Sequence, residues 1–442
     1  MRLKYVVIAS MLFATSAAAS DLADSIKADY DKRLAATFVD FHRNPELSFK
    51  ENRTARIIAQ ALRAEGTAVT EGVGGTGVVG VMRNGAGPTV LVRADMDGLP
   101  VEEKSGVAYA SRVRQVGVDG QEMPVMHACG HDVHITSLIA TARQLAATKD
   151  RWRGTIVFIA QPAEERVGGA KAMLADGLYT RFPKPDYALG FHVNAAMRTG
   201  TVSGADQLMY SSADSVDIVV NGVGAHGAAP HAGKDPVYIG AQIVTALQSI
   251  VSREIGPLSP AVVTVGSFHA GTKHNIISDR ADLQLTVRAN DEATRKQLLA
   301  AIERIAKGIA RAHGVAEDKL PMVKVSEGTP TTNNEPALAQ RVRAAFRREL
   351  PAGTVIPFVQ ESMGAEDFTY FVQPELGVPG FYFQVGGTPP AAFEAAAAGG
   401  PPVPSHHSPL FRIDPEPSVR LGTEAMTVAL LELLRPAAGA AN

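Results

Sequence analysis

The stretch Met126-His127-Ala128-Cys129-Gly130-His131-Asp132-Val133-His134 gathers the single cysteine of the chain, three histidines and an aspartate. Thiolate sulfur and imidazole nitrogen are strong side-chain ligands for a borderline divalent cation, and Cys129 and His131 flank a glycine that keeps the segment flexible. The combination points to metal-assisted hydrolysis. A lone cysteine is more often a small buried hydrophobe, and the company of the histidines is what argues against that reading here.

Carboxylates suited to the same chemistry lie on both sides. Arg93-Ala94-Asp95-Met96-Asp97-Gly98-Leu99-Pro100 ends an apolar run and places Asp95 and Asp97 on one face for as long as the chain stays extended. A turn with capping aspartates is the plain alternative. Gln161-Pro162-Ala163-Glu164-Glu165 follows another apolar run; adjacent carboxylates at a strand end point to opposite sides, so one can meet a metal while the other faces a substrate water. A solvated acidic pair is the competing reading. His192, in Gly190-Phe191-His192-Val193, follows a strand-like stretch beginning at Tyr187, and His406-His407-Ser408-Pro409 lies beyond a Pro-rich loop. Either would be an ordinary histidine in isolation. All these residues fall at expected strand ends or in adjoining loops, where an α/β sheet assembles its sites.

The elements that must position them alternate. Helical spacing of Leu34, Phe38, Phe41 and then Ala55, Ile58, Leu62 predicts two opening helices separated by the Asn44-Pro45 turn. Apolar runs at 77–82, 89–94 and 155–161 predict strands, with a helix at 135–146, giving an α/β fold with a largely parallel central sheet. Gly72-Val73-Gly74-Gly75-Thr76-Gly77 fits the dinucleotide-binding glycine pattern, but the strand-like Val78-Val79-Gly80-Val81-Met82 follows where that motif needs a helix N-terminus to hold the pyrophosphate. Strands at 215–221, 261–270, 281–288 and 322–325 and helices at 236–252 and 291–313 follow in βαββαβ order, the layout of a small ferredoxin-like α+β domain. The expected organisation is a catalytic domain in two segments, 21–205 and 327–442, interrupted by an inserted domain at 206–326 and closing with a helix at 417–434.

A chain of 442 residues is long for one core. Its net charge of −2, with acidic and basic residues interspersed, gives no reason to expect nucleic acid or an anionic membrane as partner. Arg2 and Lys4 precede an apolar run from Tyr5 to Phe13, then Ala17-Ala18-Ala19 and Ser20-Asp21, the layout of a cleavable secretory signal over 1–20. The run is shorter than the ~20 residues of a membrane-spanning helix. A periplasmic or secreted protein without a stable membrane anchor is therefore expected.

Taken in order, these motifs resemble the aminoacylase/carboxypeptidase family of dinuclear metallopeptidases, in its amidohydrolase branch of hippurate and indoleacetyl-amino-acid hydrolases. Further matches are Gly224-Ala225-His226-Gly227-Ala228-Ala229-Pro230-His231, Ala365-Glu366-Asp367-Phe368 and His407-Ser408-Pro409-Leu410-Phe411, and the resemblance runs from about Phe41 to the last helix. It implies metal ligands Cys129, His131, Glu165, His192 and His407, with Cys129 bridging two divalent ions, and Glu164 as general base. It implies that Asp97 supports the ligand shell and that His226 contacts substrate in the site of a second subunit, the inserted domain forming a homodimer. Asn275 and Arg288 match polar positions suited to a substrate carboxylate. Gly98 replaces the more usual alanine, which should affect backbone freedom. His407 is chosen over His406 by its place before Ser-Pro. The 109–126 loop is longer than the family pattern, and a Pro/Ala-rich segment, 388–404, precedes the last ligand.

The implied reaction is attack of a metal-activated water on an amide carbonyl, with Glu164 taking the water's proton and returning it to the departing amine. His226 and the metal would stabilise the oxyanion. The implied substrates are N-acyl or N-aroyl amino acids; a dipeptidase or carboxypeptidase on short peptides uses the same site, and a non-catalytic metal- or peptide-binding protein would lack a ligand or the base, which this chain does not. Thiolate ligation favours zinc, the resemblance favours manganese, and nickel or cobalt can substitute. Phe358, Phe368, Tyr370, Phe381, Tyr382 and Phe383 are candidates for an acyl pocket, though core packing is the expected place for most of them.

Overall fold

The apolar runs and helical repeats resolve, in a computed structural model that describes residues 21–436, into two principal sheets, of seven and four strands, with flanking helices. The expected signal segment, 1–20, lies outside the described residues. In chain order the principal strands are β1 (Ala68–Val73), β2 (Gly77–Asn84), β3 (Thr89–Asp95), β4 (Gly154–Gln161), β5 (Tyr187–Arg198), β6 (Val202–Ser203), β7 (Ser212–Asn221), β8 (Ala261–Ala270), β9 (Arg280–Ala289), β10 (Met322–Thr329) and β11 (Gly380–Thr388). The principal helices are α1 (Ala35–Arg43), α2 (Asn52–Ala64), α3 (His131–Ala147), α4 (Pro236–Ser249), α5 (Glu292–Ala312), α6 (Pro336–Glu349) and α7 (Pro415–Leu433).

Packing divides the chain into two compact units. Among the described residues, the first comprises 21–209, Asn333–Val359 and 370–436; the second comprises Tyr210–Thr332 with Gln360–Thr369. The second unit thus covers most of the 206–326 segment read as an insertion and takes in a return segment that no periodicity marked.

In the first unit the sheet order is β1-β2-β4-β3-β5-β11-β6. The four central strands β4, β3, β5 and β11 run parallel, and β1, β2 and β6 add antiparallel edges. The central strands are buried along most of their length, as expected of strands covered on both faces. Leu34, Phe38 and Phe41, and Ala55, Ile58 and Leu62, turn their helical stripes into this core. The glycine cluster at 72–77 is the turn of the β1–β2 hairpin, so no helix follows it. The long 109–126 loop contains a short hairpin pairing Arg114–Val116 with Glu122–Pro124. Phe381, Tyr382 and Phe383 are wholly buried on β11 and Phe368 nearly so, which places them in cores. Gly98 does not have a left-handed φ. Its environment is tight instead: a Cβ there would lie 3.1 Å from Pro45 Cβ and Val125 Cγ1, so the glycine answers to space rather than to backbone freedom.

In the second unit the order β8-β9-β7-β10, with every neighbour antiparallel, is the ferredoxin-like arrangement. Strand alternation sends Val216, Ile218 and Val220 inward, where they join Ile239, Ile243 and Leu247 of α4 and Leu298 and Ile302 of α5. Among the described residues no helix is long and apolar enough to cross a membrane.

Candidate metal centre

Strand ends and one helix start supply the site. β3 pairs with β4 through Asp95 opposite Gln161, and with β5 only as far as Arg93 opposite Gly190. His192 therefore stands past the end of the β3–β5 pairing, yet it is interior to β5, which continues along β11 to Arg198. It does not follow the strand, as the apolar run suggested, because the alternation of buried and half-buried residues continues beyond it. α3 begins at His131, earlier than the expected 135, behind Gly130 at φ +90°. A Cβ on Gly130 would lie 2.4 Å from Val193 Cγ1, so both the turn and the close approach require glycine.

Glu164 and Glu165 open a short 3₁₀ turn (Glu164–Arg166) bracketed by Ala163 at φ +49° and Val167 at φ +51°. Left-handed conformations at non-glycine residues are costly and persist where surrounding bonds impose them. Two buried carboxylates do so here. Glu51 Oε1 accepts from the Ala163 N–H at 2.9 Å. Asp97 accepts from the N–H groups of Glu164, at 3.2 Å, and Glu165, at 3.1 Å, and also from the Ser48 hydroxyl at 2.6 Å.

The side chains form compact donor groups. Cys129, His131 and His192 make one, Cys129, Glu165 and His407 a second, and His131, Glu164 and Glu165 a third; within each, the ligand atoms lie within 4.8 Å of one another. The groups interlock, Cys129 belonging to the first two, His131 to the first and third and Glu165 to the last two, so together they would offer donors for more than one cation. Imidazole orientation fits as well. His131 Nδ1 donates to the Asp97 main-chain oxygen at 2.8 Å, which leaves the Nε2 lone pair facing the carboxylates. His192 Nδ1 donates to its neighbour's oxygen on Val193 at 2.6 Å, leaving Nε2 at 3.4 Å from Cys129 Sγ. His131 Nε2 and Glu165 Oε1 are buried without a hydrogen-bond partner, although polar atoms in such positions are normally satisfied. A divalent cation is the partner this donor set fits.

Electrostatics agree. Burial pushes the Cys129 thiol up, and Glu165, Glu164 and Asp95 push it further. Burial likewise raises Glu165 to about 8, against the pull of His131 and with the help of Asp97 and Asp95. Burial disfavours charge on His131, but Asp95, Asp97 and Glu165 outweigh it and raise the ring to about 10. Both shifts favour the protonated forms of His131 and Cys129, and metal binding would displace those protons.

Other residues near this cluster are committed to the scaffold. Asp95, His131 and His134 are also mutually close, but His134 Nε2 accepts from the Val193 N–H at 2.9 Å and its Nδ1 lies 2.5 Å from Asp95 Oδ1. Arg93, wholly buried, takes Asp95 Oδ2 at 2.7 Å. Asp95 and His134 stand in motifs suited to metal chemistry but carry no individual role there, and nothing in the sequence marks Glu51, His42 or Glu103. For His134 the available signal was its place three residues after His131, one turn along the same helix face. His42 joins Asp132 Oδ2 at 2.7 Å to Glu103 Oε1 at 3.1 Å. The two adjacent late histidines separate: His407, at φ +64°, brings Nε2 to 3.5 Å from Glu165 Oε2, whereas His406 Nε2 accepts from the Ala195 N–H at 3.0 Å.

In the second unit, His226 and Asn275 are exposed neighbours: His226 pairs with Ile276, and the Gly227 N–H donates to the Asn275 oxygen at 2.8 Å. Arg288 is not with them. It is half-buried opposite Ala213, whereas the end of β9 nearest His226 is Arg280, opposite Asn221. Arg288 thus lies near the far end of β9, whereas Asn275 lies outside β9, ahead of its first residue, Arg280.

The pattern of peptidase family M20/M25/M40 matches residues 91–397. The chain is 40% identical over 341 residues to a hippurate hydrolase of Campylobacter jejuni, covering 75% of this chain and 83% of the relative. It is 39% identical over 350 residues to thermostable carboxypeptidase 2 of Saccharolobus solfataricus, covering 78% and 83%. A solved Bacillus subtilis structure, described as a dinuclear metal binding peptidase from the M20 family, superimposes with a TM-score of 0.73 at 27% identity, covering 92% of this chain and 99% of its own. The chain belongs to peptidase family M20/M25/M40 and is a metal-dependent hydrolase.

Proposed function

We propose that the protein hydrolyses the amide bond of N-acyl or N-aroyl amino acids at a two-metal centre, with Cys129, His131, Glu165, His192 and His407 as ligands and Glu164 as general base. The observation that carries this reading is the pair of donor groups sharing Cys129, with Glu164 beside the ligand Glu165. Two divalent cations held there would act as Lewis acids and bring a water's pKa near neutrality.

The chain's own groups supply the rest. Glu164 is buried within the cluster, 9% exposed, with Oε2 3.9 Å from His131 Nε2. From there it would accept a proton from water and deliver it to the leaving amine. Asp97 fixes the main chain of Glu164 and Glu165, so neither carboxylate must reorganise during turnover. Relatives named hippurate hydrolase, N-acyl-L-amino acid amidohydrolase and N-acetyl-L-cysteine deacetylase support acylated amino acids as the substrate class. The similarity to a carboxypeptidase supports short peptides as a second reading.

A homodimer formed through the second unit, with His226 serving a second subunit's site, belongs to the same proposal; exposed Tyr238, Phe268 and Ile276 on that unit support it. The basic and then apolar N-terminus supports export to the periplasm or beyond. Parallel assays with N-benzoyl, N-acetyl and unblocked dipeptide substrates, with Mn²⁺ or Zn²⁺ added, test the reading. Preference for blocked substrates is expected, and preference for a free amine would transfer the assignment to a dipeptidase.

A further inference from the structure

We propose that His406 is a positioning residue that donates its Nδ1–H to the sulfur of Cys129 and thereby tunes the thiolate shared by the two donor groups. The proposal rests on the metal-site reading above. His406 Nδ1 lies 3.7 Å from Cys129 Sγ, within reach of an acceptor as large as sulfur. The tautomer follows from the other side of the ring. Nε2 accepts the Ala195 N–H at 3.0 Å, so it carries no proton, and the one proton of a neutral imidazole sits on Nδ1, facing the Cys129 sulfur, with the Cys129 main-chain oxygen as a second acceptor for the ring.

The ring is held for this role. It packs edge-on to His192, with centroids 5.3 Å apart and planes at 74°, and lies against buried Phe411 at 4.9 Å. The next residue's N–H donates to the Ala128 oxygen at 2.8 Å, tying the histidine pair to the segment that carries Cys129. His406 is thus no ligand of the centre but a donor behind its bridging atom. A hydrogen bond to a ligand sulfur stabilises the sulfur lone pair and draws charge from the metal–sulfur bond, a recognised means by which groups outside the ligand set tune a metal site.

Two substitutions separate the two nitrogens. In His406→Asn the amide nitrogen can take the place of Nδ1, keeping the donor to sulfur while giving up the acceptor for Ala195. In His406→Gln the amide oxygen can take the place of Nε2, keeping the Ala195 bond while giving up the donor to sulfur. The full chain loaded with Co²⁺ reads the sulfur directly through its thiolate-to-cobalt charge-transfer absorption. The expected result is a band at the parent energy in His406→Asn and a shift to lower energy in His406→Gln. A band that moves in neither variant, moves equally in both, or moves only in His406→Asn overturns the proposal and leaves the metal centre standing. A parent protein that binds Co²⁺ with no thiolate band, or binds none, overturns both the proposal and the ligand assignment of Cys129.

Discussion

Asp97 holds His131 from one side and the Glu164–Arg166 turn from the other: its main-chain oxygen accepts from His131 Nδ1 at 2.8 Å while its carboxylate accepts from the N–H groups of Glu164 and Glu165. One buried residue therefore sets the direction of a proposed ligand's lone pair and the position of the proposed base. Replacing Asp97 with Ala should lower metal affinity or turnover by about 10–100-fold, the usual effect of losing a partner that orients metal ligands. Chelator competition and steady-state rates on the same preparation check it. An Asp97→Ala protein equal to the parent in both would remove Asp97 from the account.

Glu164→Gln preserves shape and removes the base. Metal content should stay at the parent level while kcat falls by about 10²–10⁴-fold. Elemental analysis beside kinetics makes the comparison, and substantial retained turnover would sink the assignment of Glu164.

Part of the candidate centre was legible because it falls into two local pairs, Cys129 with His131 and Glu164 with Glu165, whose residue types suit ligation. The alternating elements also made both sheets legible. His192 was placed at a strand's end because the sequence does not reveal that β5 outruns its neighbour β3. The supporting carboxylates were harder to read. Glu51 looks like any helix-leading glutamate until its 112-residue separation from Ala163 closes into a hydrogen bond, and Asp95 looks like half of a turn until Arg93 and His134 close on it. Burial gives these groups their roles, and burial belongs to tertiary packing.

His42 yields a pH prediction. Burial opposes its charge, but hydrogen bonds to Asp132 and Glu103 outweigh that and raise it from 6.5 to about 9. Because the folded value lies above the unfolded one, its stabilisation is fully present below about pH 6.5 and is lost as pH rises through about 9. A shift of this size corresponds to stability on the order of 3 kcal/mol. Denaturant unfolding of the parent and His42→Gln should show a gap that is wide at pH 6 and narrows by about pH 9.5. A gap independent of pH would contradict a charged, paired His42.

The shared sulfur separates two ligand substitutions. Cys129→Ala should weaken both cation positions, whereas His407→Ala should weaken only the one shared with Glu165. Metal counts after dialysis against a weak chelator check this. Equal losses from the two variants would argue against a bridging sulfur.

The most direct test of the central claim is the metal content of the chelator-stripped parent chain as Mn²⁺ or Zn²⁺ is restored, followed by equilibrium dialysis with hydrolysis of an N-acyl amino acid measured on the same samples. Saturation at about two ions per chain is expected, the arrangement of a dinuclear hydrolytic site, with activity absent from stripped protein and recovered on loading. Turnover that survives stripping, or the absence of stoichiometric uptake, would contradict it.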